Sequence, residues 1–441
     1  MSLSQETIRI RHQVKEWSRS GRKQWDLYRY LYNPYVIYDA LTLVIKNGGA
    51  SGVDGKTIKD IKGKEWEMVQ LIITELQAGT FKPGAVRRVY IPKKEGTQRP
   101  LGIPNLIDRT LQRAIVLLME PIYELRFHSF SFGFRPKRRA VDCAAEVANQ
   151  CYKLRYVLDA DIEKFFDNVE HKKLLGVIRR EIVDSRVLKL ILGFLKSGFC
   201  EPGKPWQATR RGTPQGGPLS PLLANIYLHY FLDNKFNEVY AKYSWIKLIR
   251  YADDFVILLS QPGQQRVVQR FVTLWLREAG LNLKASKTRW VDMTNQNRSY
   301  ESKFDFLGFK FHLRSFKDNP QRFWIARQPS EKARLTLREA IRERLHVGIA
   351  LEEAQKRIVQ TWLGWCNYFR YSNANRIFLR EASKVRRIIN WWLARKFRRQ
   401  RKAVPWRIIL TWGKNLGKAI KPIKVIPNHL SERRTQAPLF M

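Results

Sequence analysis

Two adjacent carboxylates inside an otherwise apolar run constrain this chain more than any other feature of its sequence. Tyr251-Ala252-Asp253-Asp254 lies between Leu248-Ile249 and Phe255-Val256-Ile257-Leu258-Leu259. The flanking residues favour burial, and two buried neighbouring carboxylates are costly unless cations neutralise them. An Asp pair between strands is also ordinary turn chemistry, so a third acid is needed before the dipeptide means more. Asp159-Ala160-Asp161-Ile162-Glu163-Lys164-Phe165-Phe166-Asp167 supplies one, again at the end of a strand-like run. Hard oxygen ligands gathered from separate strands suit Mg²⁺. Two such ions about 3.5–4 Å apart serve an in-line phosphoryl transfer in which a 3′-hydroxyl attacks and pyrophosphate leaves.

The rest of the composition names the polyanion. The 441 residues carry 81 Lys and Arg against 39 Asp and Glu, a formal charge of +42, with 44% hydrophobic and 12% aromatic residues. Apolar content of that order builds cores, which excludes a disordered polybasic tail, and the basic excess points to nucleic acid. The charge-free stretch Gly212–Leu232 contains Pro214, Gly216, Gly217, Pro218 and Pro221, unlike a lipid-spanning helix. Charges from Arg9 to Lys23 leave no apolar core for a secretory signal, so a cytoplasmic protein with no membrane partner is expected. Cys143, Cys151, Cys200 and Cys366 have neither zinc nor disulfide spacing and read as small buried hydrophobes.

Along the chain, residues 1–30 read as a basic helical arm. Tyr35–Lys46 reads as a helix stopped by Asn47-Gly48-Gly49, and roughly Trp66–Leu76 as a second helix. Arg87–Pro92 alternates like a strand and Lys93–Gln98 supplies a turn before Arg99, predicting a β-hairpin with a basic tip. Short β-branched and aromatic runs interleaved with helical patterns between Tyr156 and Phe309 indicate an α+β architecture. Strands are expected to stop at about residue 320. Beyond it Leu337, Ile341 and Leu345, then Leu351, Ala354, Ile358, Trp362, Trp365 and Phe369, follow helical spacing, as a bundle does. From Arg376 onward there are 18 Lys and Arg and 2 acids, Glu381 and Glu432. Trp391, Trp392, Trp406 and Trp412 interleave with Arg395, Lys396, Arg398 and Arg399, a pattern for a helix with one packed and one phosphate-facing side.

Nine runs in order identify the family. They are GASGVDG from Gly49, RRVYIPKKEGTQRPLGIPNLIDRTLQRAI from Arg87, SFGFRPKRRAVDCA from Ser131, YVLDADIEKFFDNVEH from Tyr156, RGTPQGGPLSPLLANIYL from Arg211, RYADDFVIL from Arg250, LNLKASKT from Leu281, FLGFKF from Phe306 and WLGWCNYFR from Trp362. The chain resembles the reverse transcriptases and maturases encoded by group II introns over nearly its whole length. The resemblance implies a right-hand polymerase of fingers, palm and thumb, with a helical N-terminal extension and a helical basic C-terminal region. It divides the chain into 1–85 (extension and start of fingers), 86–315 (fingers and palm), 316–400 (thumb, maturase domain X) and 401–441 (a basic DNA-binding tail). It also implies two Mg²⁺ ions, with Mn²⁺ as a possible substitute, and group II intron RNA, an RNA template with a DNA primer, target DNA and dNTPs as partners.

Position by position, the resemblance makes Asp161, Asp253 and Asp254 the metal-binding triad, with Ile162 beside them in the metal set. Asp161 is chosen over Asp159 because Phe166, five residues on, then falls at the steric gate against a 2′-hydroxyl. Lys93 and Arg99 match cations that hold the incoming triphosphate, and Gln215 the residue bordering the dNTP pocket. Lys287 matches a lysine that protonates pyrophosphate; a solvated surface lysine is the plain alternative. Phe306, Leu307 and Gly308 match the primer grip. Trp362, Trp365 and Phe369 are expected in the thumb core, Glu163 is read as structural, and Asp108 as a helix cap or ion-pair residue. Arg395, Lys396, Arg398 and Arg399 are expected to bind nucleic acid on charge and aromatic content.

Many relatives end in an endonuclease built on His and paired Cys. Beyond Trp412 this chain has one histidine, His429, and no cysteine, so no endonuclease domain is expected. Two other readings remain open. One is a domesticated reverse transcriptase working in phage defence, CRISPR adaptation or DNA repair; the other is a splicing factor that binds RNA without polymerising. Decay of the second kind would erode the triad or the nucleotide pocket, and Asp161, Asp253, Asp254, Lys93, Arg99 and Gln215 all stand.

Overall fold

The computed structural model describes residues 3–92, 98–294, 302–315 and 323–399. At the front, α1 (Gln5–Arg19) starts at Ser4, whose Oγ accepts the Thr7 N–H at 3.2 Å. This segment is not the free arm its charge suggests. Its spacing places Ile10 and Val14 on one buried stripe packed in the main core, so only the opposite face is solvated. The helix α2 (Pro34–Asn47) opens with proline in its first turn under the Asn33 cap and ends at Gly48, whose φ is +68°. It packs with α3 (Glu65–Gln77) and with α4 (Leu106–Tyr123), which is buried nearly all round. Between these helices β1 (Val86–Pro92) and β2 (Gln98–Ile103) pair antiparallel, Arg88 opposite Gly102, as the hairpin pattern predicts.

Among the described residues Asp108 neither caps α4 nor forms an ion pair. It is 3% exposed in the first turn, where its Oδ2 accepts the Gly84 N–H at 3.2 Å. Burial pushes its carboxyl from the ordinary 3.8 up to about 7. The folded protein therefore keeps this proton across a window in which the unfolded chain has lost it. The stability contributed is full below about pH 4 and is lost as pH rises through 7. Asp108→Asn removes that penalty, so its stability gain in urea unfolding grows by about 1.4 kcal/mol per pH unit between about pH 4 and 7. A gain that does not change with pH contradicts this.

The central unit follows α5 (Ala140–Gln150), with β3 (Tyr156–Asp161), α6 (Phe165–Asn168), α7 (His171–Ile178), α8 (Ser185–Lys196), β4 (Phe199–Cys200) and α9 (Ser220–Leu228). A π-turn at His229–Asp233 leads into α10 (Asn234–Tyr240), and β5 (Ile246–Tyr251), β6 (Asp254–Leu259), α11 (Gln265–Glu278) and β7 (Arg289–Asp292) complete it. One four-stranded sheet, ordered β5-β6-β3-β7 with every pair antiparallel, collects these strands. Its two faces are covered by two separate apolar cores: Leu158, Phe255 and Ile257 enter one, Val157, Val256 and Leu258 the other. Val157, Leu158, Val256, Ile257 and Leu258 are all fully buried, which is why these strands read as continuous apolar runs rather than alternating ones.

Next come β8 (Lys303–Phe306), β9 (Phe309–Ser315) and β10 (Phe323–Pro329), a meander in which β10 pairs antiparallel with β9. Strands therefore continue past residue 320. Ile325, Ala326 and Arg327 are all buried, so β10 lacks the alternation that would expose it in the sequence. Three helices follow, α12 (Glu331–Glu343), α13 (Leu351–Phe369) and α14 (Asn375–Arg399). Leu337, Ile341, Trp362, Val385 and Ile389 form their shared core, as the helical spacing requires. Cys143, Cys151 and Cys366 are buried free thiols and Cys200 is half-buried. No helix among the described residues is long and apolar enough to cross a membrane.

Candidate active site

Antiparallel register brings the acids together. Asp161 ends β3 directly opposite Asp254, the first residue of β6, and Asp253 stands in the two-residue turn between Tyr251 and Asp254. Ala252 takes φ +57° to make that turn, and the chain at Ser131–Gly133 presses against it. A Cβ on Gly133 would lie 2.2 Å from the Ala252 nitrogen, so this position admits only glycine.

Electrostatics mark the cluster as short of cations. Loss of surrounding water raises the Asp253 carboxyl, and the Asp161 charge adds to it. Asp254 opens on the cleft, yet desolvation by the protein around it and the charges of Asp253 and Asp161 push it up to about 7. Asp159 is pushed up to about 6 by burial, although Arg289 Nε stands 3.3 Å from its Oδ2 and pulls the other way. Lys287 Nζ donates to Asp161 Oδ2 at 2.7 Å. No three His, Cys, Asp or Glu side chains among the described residues already close into a cation cage. The donor set nevertheless fits divalent ions: three hard carboxylates at one sheet end whose mutual repulsion a cation relieves.

These residues open on a cleft of about 900 Å³ walled by Asp159, Asp161, Asp254 and Lys287 on one side and by α12 and α13 on the other. Phe306, Leu307 and Gly308 lie on its edge. Leu307 and Gly308 are the two central residues of the β8–β9 turn, with φ +50° and +77°, the left-handed pair a tight hairpin needs. The Leu307 carbonyl accepts from Tyr368 Oη at 2.9 Å and the Gly308 carbonyl from the Ser330 N–H at 2.8 Å. Phe309 stacks on Tyr368 and meets Phe369 edge-on. The turn is thus locked beneath the helices; of the three residues expected in the thumb core, Trp362 lies in the core of α12–α14, Phe369 joins the core that covers the sheet, and Trp365 is half-buried on the cleft.

A second cavity of about 300 Å³ is lined by Arg88, Pro100, Gly102, Phe166, Arg211 and Gln215 among others. Lys164, at φ +43°, turns the chain from β3 into α6, which carries Phe166. Arg99 Nε donates to Gln215 Oε1 at 2.6 Å, and the Gln215 carbonyl accepts the Gly102 N–H at 2.7 Å. Three of the four expected nucleotide-binding residues therefore meet here; Lys93 lies outside the described residues. Ile162 is buried and bridges to Leu283, and Glu163, whose N–H reaches the Asn282 carbonyl, points its side chain to solvent.

The basic C-terminal set needs correction. Lys396 is 6% exposed, and its Nζ donates to the carbonyls of Val347 at 2.8 Å and Ile349 at 2.7 Å. It holds the loop before α13 and does not face a phosphate. Arg395 is exposed, its guanidinium 5.3 Å from the Trp391 ring. The side chains of Arg398 and Arg399, together with Trp406, Trp412 and the tail 401–441, lie outside the described residues.

One residue of the site carries no expected role in the sequence. Arg250 is fully buried beneath the Asp253 turn. It donates to both oxygens of Asp233 at 2.8 and 2.5 Å, to Asn225 Oδ1 at 3.0 Å, to Ser131 Oγ at 2.8 Å and to the Ala252 carbonyl at 2.9 Å. The π-turn His229–Asp233 delivers Asp233 to it, and Asn225 also donates to the Gly133 carbonyl at 2.6 Å. The signal was an arginine inside Leu248-Ile249-Arg250-Tyr251-Ala252, where burial demands a partner.

The chain is similar to known proteins over much of its length. The reverse transcriptase (RNA-dependent DNA polymerase) family matches residues 91–311, and the group II intron, maturase-specific domain matches 331–408. Protein YkfC of Escherichia coli K12 is 32% identical over 343 residues, covering 70% of this chain and 88% of YkfC. The group II intron-encoded protein LtrA of Lactococcus lactis is 42% identical over 206 residues, 46% of this chain and 34% of LtrA, so the matched part spans about a third of that relative. An apo telomerase structure from Candida tropicalis aligns with a TM-score of 0.42 at 16% identity, over 52% of this chain and 53% of that one. Reverse transcriptases use divalent metal ions, and with that family matched over half its length and the maturase-specific domain behind it, this chain belongs to the group II intron reverse transcriptases.

Proposed function

We propose that the chain extends a DNA primer on an RNA template with dNTPs, binds a group II intron RNA, assists its splicing and copies it into target DNA by target-primed synthesis in the cytoplasm. The observation that carries the polymerase reading is the pairing of Asp161 with Asp254 beside Asp253, at one end of a cleft edged by the Leu307–Gly308 turn. Two Mg²⁺ ions, or Mn²⁺ in their place, supply when bound the activation of the primer hydroxyl and the stabilisation of departing pyrophosphate. Asp161, Asp253 and Asp254, with Ile162 alongside, hold them. Arg99, oriented by Gln215, and Lys93 neutralise the triphosphate, and Lys287 passes a proton to pyrophosphate. Phe306, Leu307 and Gly308 seat the primer end. The working divisions are 1–85, 86–315, 316–400 and 401–441, with β10 belonging to the sheet of β8 and β9.

Phe166 tests the nucleotide pocket. Its ring, 8% exposed and held where its carbonyl accepts the Thr213 N–H at 2.8 Å, packs under the sugar and leaves no room for a 2′-oxygen. Phe166→Ala is expected to raise ribonucleotide incorporation by at least about tenfold relative to dNTP, the effect of relieving roughly 1.4 kcal/mol of steric exclusion. An unchanged ratio in single-nucleotide extension removes Phe166 from the gate.

A further inference from the structure

Next to the cavity of Phe166 and Gln215 lies a more strongly cationic one that the polymerase reading leaves without a task. It measures about 420 Å³, the size of a small-molecule pocket. Lys172 and Arg179 at the two ends of α7, Lys196 closing α8, and Arg210 and Arg211 line it, and all five are exposed. The one acid among its described lining residues is Glu170, whose Oε1 already accepts from Lys173 Nζ at 3.1 Å. Among the described residues no carboxylate pairs with any of the five cations.

Arg210 and Arg211 line both cavities, so the two share a cationic border. The segment that follows them is pinned. His171 Nε2 stands 2.8 Å from the Gly212 carbonyl, the Gly212 N–H donates to the Val169 carbonyl at 2.8 Å, and a Cβ on Gly212, at φ +91°, would lie 2.8 Å from the Phe166 carbonyl. His171 also lines the new cavity, is 7% exposed, and keeps Nδ1 buried with no hydrogen-bond partner. A buried polar atom of that kind calls for a ligand group; Nδ1 can accept from a P–OH or, protonated, donate to a phosphate oxygen.

Five cations closing on one small cavity call for several negative charges on one compact anion. A polynucleotide instead strings single charges along a groove. The arginine forks match phosphate oxygens in particular. We propose that this cavity is a second polyphosphate site, outside the pocket of Phe166 and Gln215, which takes the phosphate chain of a nucleoside triphosphate entering that pocket or of pyrophosphate leaving it. This rests on the polymerase reading of the pocket. The cations raise the local concentration of the anion, and Arg210 and Arg211 pass the chain between the cavities without its losing a cationic partner.

The test uses the full chain saturated with primer–template in chelator, where no synthesis occurs, and follows the fluorescence of dATP carrying an N-methylanthraniloyl group. Replacing Lys172, Arg179 and Lys196 together with Gln, none of which lines the pocket of Phe166, is expected to weaken binding at least about tenfold. Lys196→Arg keeps the charge and binds within about twofold of wild type. Inorganic tripolyphosphate displaces the probe and dAMP does not. A matched variant with Lys242, Arg266 and Arg270, exposed elsewhere, changed to Gln stays within about twofold, and every variant melts with the wild-type midpoint. Beside lost binding, a lower kcat/KM for dNTP at unchanged kcat identifies the entering nucleotide as the source, and relief of pyrophosphate inhibition at unchanged kcat/KM identifies the departing product; either supports the site. Unchanged affinity in the triple variant overturns the proposal. So does an equal loss in the matched variant, which would make the effect one of overall charge, and so does release of the probe by primer–template, which would place the cavity in the path of the duplex. Wild type that binds the probe but extends no primer in Mg²⁺ counts against the polymerase reading alone, since the binding is read without synthesis.

Discussion

Asp253→Ala reduces DNA synthesis at least about a thousandfold, some 4 kcal/mol of lost transition-state stabilisation, while primer–template affinity stays close to wild type. Asp253 stands in the turn between Tyr251 and Asp254, and Asp254 lies across from Asp161. Without the Asp253 carboxylate, Asp161 and Asp254 would hold divalent ions with one ligand fewer. Primer–template affinity is set by the basic surface of the chain, and loss of one acid makes that surface no less positive. Single-turnover extension measured beside anisotropy on the same duplex separates the two quantities. Synthesis within tenfold of wild type contradicts the assignment, and a matching loss of affinity shows that the turn is structural.

Arg250→Met costs about 3–5 kcal/mol of folding stability, because it leaves Asp233 as an uncompensated buried charge. Both side chains are fully buried. The loss also frees Ser131 Oγ, Asn225 Oδ1 and the Ala252 carbonyl, and with them the clamp between the Gly133 segment and the Asp253 turn. Arg250→Lys keeps the charge but not the planar fork that reaches four partners at once. It therefore folds, and lowers kcat of extension more than it raises KM for dNTP, since what shifts is the position of Asp253. Urea unfolding of the Met variant and steady-state extension by the Lys variant check these outcomes. A stability change below about 1 kcal/mol, together with an unaltered kcat, contradicts the role given to Arg250.

Asp253 and Asp254 stood out as acids between apolar runs, whereas the choice of Asp161 over Asp159 came from the family resemblance, and the antiparallel register brings Asp161 opposite Asp254. The Arg250 network was not legible, since its partners stand 17, 25 and 119 residues away in the chain and only the fold assembles them. Asp233 depends on a π-turn, and no periodic pattern of side chains announces one. Lys396 shows the limit of charge as a guide. It is buried with its ammonium on two backbone carbonyls, whereas Arg395, one position earlier, is exposed. At the N-terminus the charges of α1 hid its buried stripe of Ile10 and Val14, and in β10 the buried Arg327 broke the pattern of a strand.

Primer extension with purified full-length protein, a DNA primer, an RNA template and dNTPs tests the polymerase account most directly, run with Mg²⁺, with Mn²⁺ and with a chelator, for wild type and Asp253→Ala. The account predicts template-directed DNA synthesis by wild type with either ion, none in chelator, and none by the variant although it binds the duplex as tightly. Wild-type protein that binds the primed RNA but extends it under none of these conditions would contradict the account.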